Sequence, residues 1–210
     1  MGGKRFVGRS FFDRPSVVVA PELLGCVLEH STDDGLVAVR LTEVEAYSGD
    51  VDPASHAYRG QTPRNAVMFG EPGHVYVYFT YGMHFCVNLV CERVGIASAV
   101  LLRAGEIVEG IDLATRRRGG APARDLARGP ARLTVALDIG RDDNGRDTCA
   151  AGSGLRLRQG SAGARVLTGP RVGVSTGAQI PWRFWLDGDP SVSPYRAHVQ
   201  KRRAAKPADR

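Results

Sequence analysis

The hydrophobic positions of the chain recur with two different periods, and the change from one to the other marks out its elements. Residues 26–30 and 36–47 alternate apolar and polar side chains, the pattern of strands with one buried face, and Thr32-Asp33-Asp34-Gly35 between them reads as a turn. In the second of these strands Leu41, Glu43, Glu45 and Tyr47 fall on one face and Thr42, Val44 and Ala46 on the other, so two carboxylates and a phenol point the same way. Residues 75–81 and 85–91 predict another hairpin, with Tyr76, Tyr78 and Thr80 on one face and Tyr81-Gly82 where the two apolar runs meet. A strand at 97–104, after a turn around Arg93-Val94-Gly95, completes a meander.

Helical spacing is confined to short pieces. Asp13-Arg14-Pro15-Ser16 is a helix-start or turn signal ahead of an apolar run that ends at 21–25. Over 107–116, Ile107, Val108, Ile111 and Leu113 cluster at helical intervals, and Gly129-Pro130 puts a proline where a helix over 131–137 can start. Trp182-Arg183-Phe184-Trp185-Leu186 reads as a last core strand. Residues 48–74 are punctuated by Gly49, Pro53, Gly60, Pro63, Gly70 and Pro72-Gly73, and a loop of that length in a compact domain is either functional or disordered. Residues 138–163 are rich in Gly and Asp and carry no recognisable pattern. The expected architecture is one α+β domain over 11–195: a curved antiparallel β-sheet, a protruding β-hairpin and a few surrounding helices, after a loose basic leader at 1–10 and before a basic, disordered tail at 196–210.

A chain of 210 residues is long enough to bury such a core without metals or disulfides. Its 28 Lys and Arg against 22 Asp and Glu leave a net charge of +6, which fits an anionic partner, nucleic acid first, without selecting it. Cys26, Cys86, Cys91 and Cys149 form no CxxC pair and the five histidines show no ligand spacing, so neither a metal site nor a disulfide framework is suggested and no cofactor is expected. No apolar run approaches the length of a membrane span or a signal peptide, which points to a protein of the reducing cytoplasm. Arg far in excess of Lys, with abundant Ala, Gly and Val, suggests a bacterial genome of high GC content.

Taken alone, Glu43 and Glu45 read equally well as solvated surface acids, and Arg116-Arg117-Arg118 as a solvated loop or a phosphate contact. The motifs Glu45-Ala46-Tyr47, Gln61-Thr62-Pro63-Arg64-Asn65, Tyr76-Val77-Tyr78, Tyr81-Gly82-Met83 and Leu101-Leu102-Arg103-Ala104 change that reading. In order and spacing they closely resemble those of the alkyladenine (3-methyladenine) DNA glycosylase family, monofunctional base-excision enzymes with a fold of their own, and the likeness covers residues 10–195.

The resemblance implies a monomer acting on double-stranded DNA that contains damaged purines. A base inside a duplex hides its glycosidic bond, so such an enzyme must extrude the nucleotide, fill the gap and activate a water. By resemblance, Glu45 is the general base, Arg103 helps to hold the water and an adjacent phosphate, and the Val172 carbonyl is a third ligand of that water. Tyr47, Tyr78 and His56 form the base pocket, with Tyr76 behind Tyr78, and Asn88 crowds the exocyclic amino group of normal guanine. Tyr81 is the wedge, Gly82 allows the tight turn, and Met83 and Arg64 contact DNA. Glu43 remains the rival of Glu45 on pattern alone, and a tyrosine at a hairpin tip also caps hairpins by simple packing. The only lysines are Lys4, Lys201 and Lys206, near the termini, so water rather than a lysine amine is the expected nucleophile. Two other readings stay open: a binding module that marks lesions without cutting, and a hydrolase of free nucleosides.

Overall fold

The alternating segments pair into a single nine-stranded antiparallel sheet. The computed structural model describes residues 5–80 and 82–198. Within them the chain runs α1 (Arg9–Phe12), α2 (Ser16–Leu23), β1 (Val27–Thr32), β2 (Gly35–Ser48), β3 (Val75–Thr80), β4 (His84–Val90), β5 (Ser98–Glu109), α3 (Ile111–Arg117), β6 (Ala127–Arg128), α4 (Pro130–Leu137), β7 (Leu155–Arg158), β8 (Val166–Gly169) and β9 (Arg183–Leu186). The strand order is β3-β4-β5-β2-β1-β7, with β6 on β5 and with β9, which carries β8, on β2. This is an α+β domain, as the alternation predicted.

One face of the sheet makes the core. Val44 and Ala46 of β2, Val75 and Val77 of β3, Val87 and Leu89 of β4, and Val100 and Leu102 of β5 pack together with Leu23 of α2 and Leu133 and Leu137 of α4. Each such leucine withdrawn from water contributes ~1.5–3 kcal/mol relative to an exposed one. The intervening residues of the same strands therefore look out on the opposite face, where the candidate site lies.

Strand β2 departs from the simple alternation. Leu41 pairs with Gly105 but Glu43 with Ala104, so Thr42 is an extra residue; then Glu43 with Ala104 is followed by Val44 with Leu102, so Arg103 is an extra residue on β5. The bulges offset one another, and beyond Val44 the original register resumes. A bulge re-aims side chains. Leu41 thus joins Val44 and Ala46 in the core, which corrects the expectation that it shares a face with Glu43, Glu45 and Tyr47.

Other differences have equally local causes. Ile107 belongs to β5, paired with Val39, and the helix begins only at Ile111. Gly110 separates them at φ +76, where an added Cβ would lie 2.1 Å from the Leu36 carbonyl oxygen, so the chain turns there. The leader is not loose from Arg5 onward: Val7 is buried and its N–H donates to Leu157 O at 2.8 Å, and Phe6 bridges to Arg158, extending the sheet beside β7. Residues 138–163 are built into the fold. Gly145 N–H donates to Val75 O, and Asn144 Oδ1 accepts from Val77 N–H, which covers the outer edge of β3. Lys4, Lys201, Lys206 and the tail from residue 199 lie outside the described residues. Among the described residues no helix is long and apolar enough to cross a membrane.

Candidate active site

The bulges bring Glu43, Glu45 and Arg103 together at the centre of the sheet, each of them buried. Glu43 accepts from Arg103 Nε and Arg183 Nε, both at 2.8 Å, and from the Ser193 N–H at 2.7 Å. Burial alone would raise the Glu43 pKa, but the Arg103 and Arg183 guanidinium groups and the Ser193 N–H outweigh it, and the net shift is downward. Glu43 is thereby locked between two guanidinium groups and a backbone N–H.

Glu45 has a lighter set of partners. The Tyr47 hydroxyl donates to Oε2 at 2.9 Å, the Val172 N–H donates to Oε1 at 2.7 Å, and Arg103 Nη1 stands 3.4 Å from Oε2. Burial and then the adjacent Glu45 carboxylate push the Tyr47 phenol well above its ordinary pKa, so it stays a proton donor at neutral pH. Burial works against the charge of Arg103, but Glu45 and Glu43 outweigh it and hold the guanidinium protonated. Glu45 itself is 0% exposed, and Tyr47, Arg103 and Val172 stand between it and the open space. The contact Val172 makes is through its N–H, whereas the resemblance had singled out its carbonyl.

Above this floor lies a cavity of about 530 Å³. Tyr47, His56, Tyr76, Tyr78, Asn88 and Arg103 line it, so the predicted pocket residues converge. Tyr76 and Tyr78 stack with centroids 5.5 Å apart, the His56 ring meets Tyr78 edge-on at 4.5 Å, and His56 Nδ1 lies 3.2 Å from the Tyr76 hydroxyl. Crowding by protein on one side of the His56 ring, reinforced by the nearby Arg64 charge, lowers its pKa, although the residue still reaches solvent. Asn88 commits its amide nitrogen to Tyr76 O at 3.0 Å, which settles how its carbonyl oxygen is turned. The loop that carries His56 is folded by Asn65: its amide nitrogen donates to His56 O at 2.9 Å and to Gly60 O at 3.1 Å, and its oxygen accepts from Thr62 N–H.

The β3–β4 hairpin stands beside the cavity mouth. β4 pairs with β5 only from Asn88 to Val90, so the half containing Tyr78–Phe85 projects beyond the sheet. Met83 N–H closes the turn on Thr80 O at 3.2 Å, Gly82 takes φ +67 in open surroundings, and Met83 is 70% exposed. Arg64 donates to Phe79 O at 3.1 Å, which ties the 60–65 loop to the projecting strand. Tyr81 lies outside the described residues.

Two residues to which the sequence assigns no role are among the most buried at the site. Arg171 is 1% exposed and Asp52 is 0% exposed, and they pair through two hydrogen bonds of 2.5 and 2.7 Å. The available signal was position: Asp52 stands in the punctuated loop between Tyr47 and His56, and Arg171 immediately precedes Val172. Among the described residues no three His, Cys, Asp or Glu side chains cluster as metal ligands.

Two buried acids, one locked in ion pairs and one beneath a cavity lined with aromatic rings, form a concave site with few convergent polar groups, the general layout of a small-ligand or enzyme pocket. Comparison with known proteins gives that class a family. The sequence profile of methylpurine-DNA glycosylases matches residues 10–190. A protein of Streptomyces avermitilis is 59% identical over 200 residues, covering 93% of this chain and 94% of its own length. One of Leifsonia xyli subsp. xyli is 58% identical over 200 residues, with 91% and 93% covered, and one of Burkholderia lata is 49% identical over 191 residues, with 88% and 89% covered. All three bear the provisional name 3-methyladenine DNA glycosylase. The chain belongs to the methylpurine-DNA glycosylase family: it is a DNA glycosylase, a hydrolase of DNA repair.

Proposed function

We propose that this glycosylase flips alkylated purines, and deaminated ones such as hypoxanthine, out of duplex DNA and hydrolyses the N-glycosidic bond with a water activated by Glu45. The observation that carries the reading is the Glu45 carboxylate fixed by Tyr47, Val172 and Arg103 at the base of an aromatic cavity. The water attacks C1′ as the sugar gains oxocarbenium character and gives its proton to Glu45; the electrons of the glycosidic bond leave with the base. Tyr47 uses one lone pair of Oε2, so the proton reaches Glu45 either on a free lone pair of the carboxylate or through the Tyr47 hydroxyl, which accepts one from water as it donates its own. Arg103 holds the water and a neighbouring phosphate, and the Val172 carbonyl completes the water's shell.

A cationic methylated purine leaves readily, so one carboxylate suffices for it. Base–aromatic stacking contributes about 1–3 kcal/mol per base, and a cationic base gains a cation–π term over Tyr47 and Tyr78. Asn88 rejects normal guanine by crowding its exocyclic amino group. Tyr81 fills the gap in the duplex, flanked by Gly82 and Met83, while Arg64 meets the backbone, and the enzyme acts as a monomer.

The test is release of free base from duplexes carrying 7-methylguanine, 3-methyladenine, hypoxanthine or ethenoadenine. Release by the wild type, and lesion binding without release by Glu45→Gln, is the expected pair of results. Tight binding with no base freed by the wild type would identify a lesion-marking module instead, and cleavage of free nucleosides alone a nucleoside hydrolase. A borohydride-trapped adduct with abasic DNA would exclude water as the nucleophile.

A further inference from the structure

The buried ion pair of Asp52 and Arg171 takes no part in the chemistry above, yet it touches β2 on either side of Glu45's neighbour Ala46, the loop that leads to His56 and the residue before β9. Arg171 Nη1 donates to Ala46 O at 3.0 Å, between Glu45 and Tyr47, next to the point where Ala46 N–H donates to Trp182 O. The guanidinium thus takes the place of the next strand partner where β9 ends. Its plane lies over the Tyr47 ring with 4.6 Å to the centroid and over the Trp182 ring with 5.5 Å. Asp52 Oδ1 accepts from the Ala54 N–H at 3.0 Å and so shapes the loop that leads to His56, and Thr176 Oγ1 donates to Pro53 O at 3.0 Å from the opposite side.

Stability alone is a poor account of this pair. Desolvating two ions consumes much of their attraction, and apolar groups of similar volume often serve a fold as well. Arg171 Nε moreover has no hydrogen-bond partner among the described residues. What apolar groups cannot supply is direction: the planar fork holds two carboxylate oxygens and a strand carbonyl at once, and the next peptide, that of Val172, then aims its N–H at Glu45.

We infer that Asp52 and Arg171 are positioning residues, a clasp that holds the Val172 N–H on Glu45 and the Tyr47 phenol in its plane, so that base release rather than DNA binding depends on them. The inference rests on Glu45 as the general base. It is tested by single-turnover release of 7-methylguanine at saturating enzyme, beside the affinity for a duplex carrying a tetrahydrofuran abasic analogue. Arg171→Lys keeps the charge opposite Asp52, and with it the fold, but cannot span the three acceptors; a release rate about 10- to 100-fold lower is expected, because small misplacements of a reacting group carry such losses. The double variant Asp52→Asn with Arg171→Met removes both charges without leaving either one unpaired and should lose at least as much, with affinity for the analogue within about threefold of wild type. A wild-type rate in Arg171→Lys overturns the inference, as does a deficit that disappears at saturation. Glu45→Gln in the same assay separates the two claims. If it is inactive while Arg171→Lys is normal, only the clasp fails; if it is active, the assignment of the base fails first.

Discussion

Glu43 and Glu45 are two residues apart on one strand, both without exposed surface, and they face different surroundings. Glu43 has two guanidinium groups and a backbone N–H at full hydrogen-bond contact. Glu45 has a phenol, one backbone N–H and a guanidinium at 3.4 Å, directly under the cavity. Glu43 thus has two guanidinium groups at 2.8 Å, whereas the two short contacts of Glu45 come from neutral donors and its one guanidinium stands farther off, on the cavity side of the sheet. The role of an acid here is decided by what reaches it from β5, β9 and the 171–176 loop, none of which is close to it in sequence.

The largest effect should come from Glu45→Gln, which removes the proton acceptor and is expected to slow base release by about 10²–10⁴-fold with little change in urea midpoint. Next is Glu43→Gln, which leaves Arg103 and Arg183 buried against a neutral amide and should cost about 3–5 kcal/mol of unfolding free energy. Its pH dependence has a definite sign. The Glu43 pKa is depressed in the folded state, so its contribution is complete above the unfolded carboxylate range, near pH ~4.3, and is lost as pH falls through the lower folded value. The stability gap between wild type and Glu43→Gln should therefore close on acidification. If Glu43→Gln proved stable and inactive while Glu45→Gln unfolded, the two roles would be exchanged.

Smaller effects test the walls. Tyr78→Ala should weaken binding to a 7-methylguanine duplex by about 1–3 kcal/mol, the worth of one stacked base, measured by titration in the Glu45→Gln background. His56→Gln should be nearly silent at neutral pH, because crowding and Arg64 keep the His56 pKa low and the ring uncharged. As pH falls through that lowered value the imidazole gains a charge that opposes a cationic purine. Affinity for the cationic lesion should then drop relative to the Gln variant by about a few-fold, the scale of a partly screened charge pair; parallel pH profiles for the two proteins would count against His56 as a wall of the pocket.

Most strands were legible because one buried face forces period-two alternation. Residues 36–47 and 75–91 fall where that alternation put them, and Pro130 opens α4 as its fixed φ suggests. Local pattern failed where a distant partner decides. Nothing near Ile107 announces that Val39 will claim it for a strand, and nothing near Leu41 announces an extra residue at Thr42. The residues that line the cavity stand in motifs of the family resemblance, but the Asp52–Arg171 pair spans 119 positions, and neither member has a local reason to be buried. Arg5 to Ser10 looked unattached because the strand it joins, β7, lies far along the chain in a stretch without pattern.

The extra residue at Thr42 decides which face of the sheet the two acids take. Strand β2 has a phase, and the inserted position advances it by half a repeat just before the acids. Were Thr42 paired in the ladder like its neighbours, unbroken alternation from Leu41 would turn Glu43, Glu45 and Tyr47 into hydrocarbon and Val44 and Ala46 to the cavity side, with every side chain unchanged in kind. The Thr42 bulge, and not the spacing of the acids along the sequence, is what sets Glu43, Glu45 and Tyr47 on the face where the cavity lies.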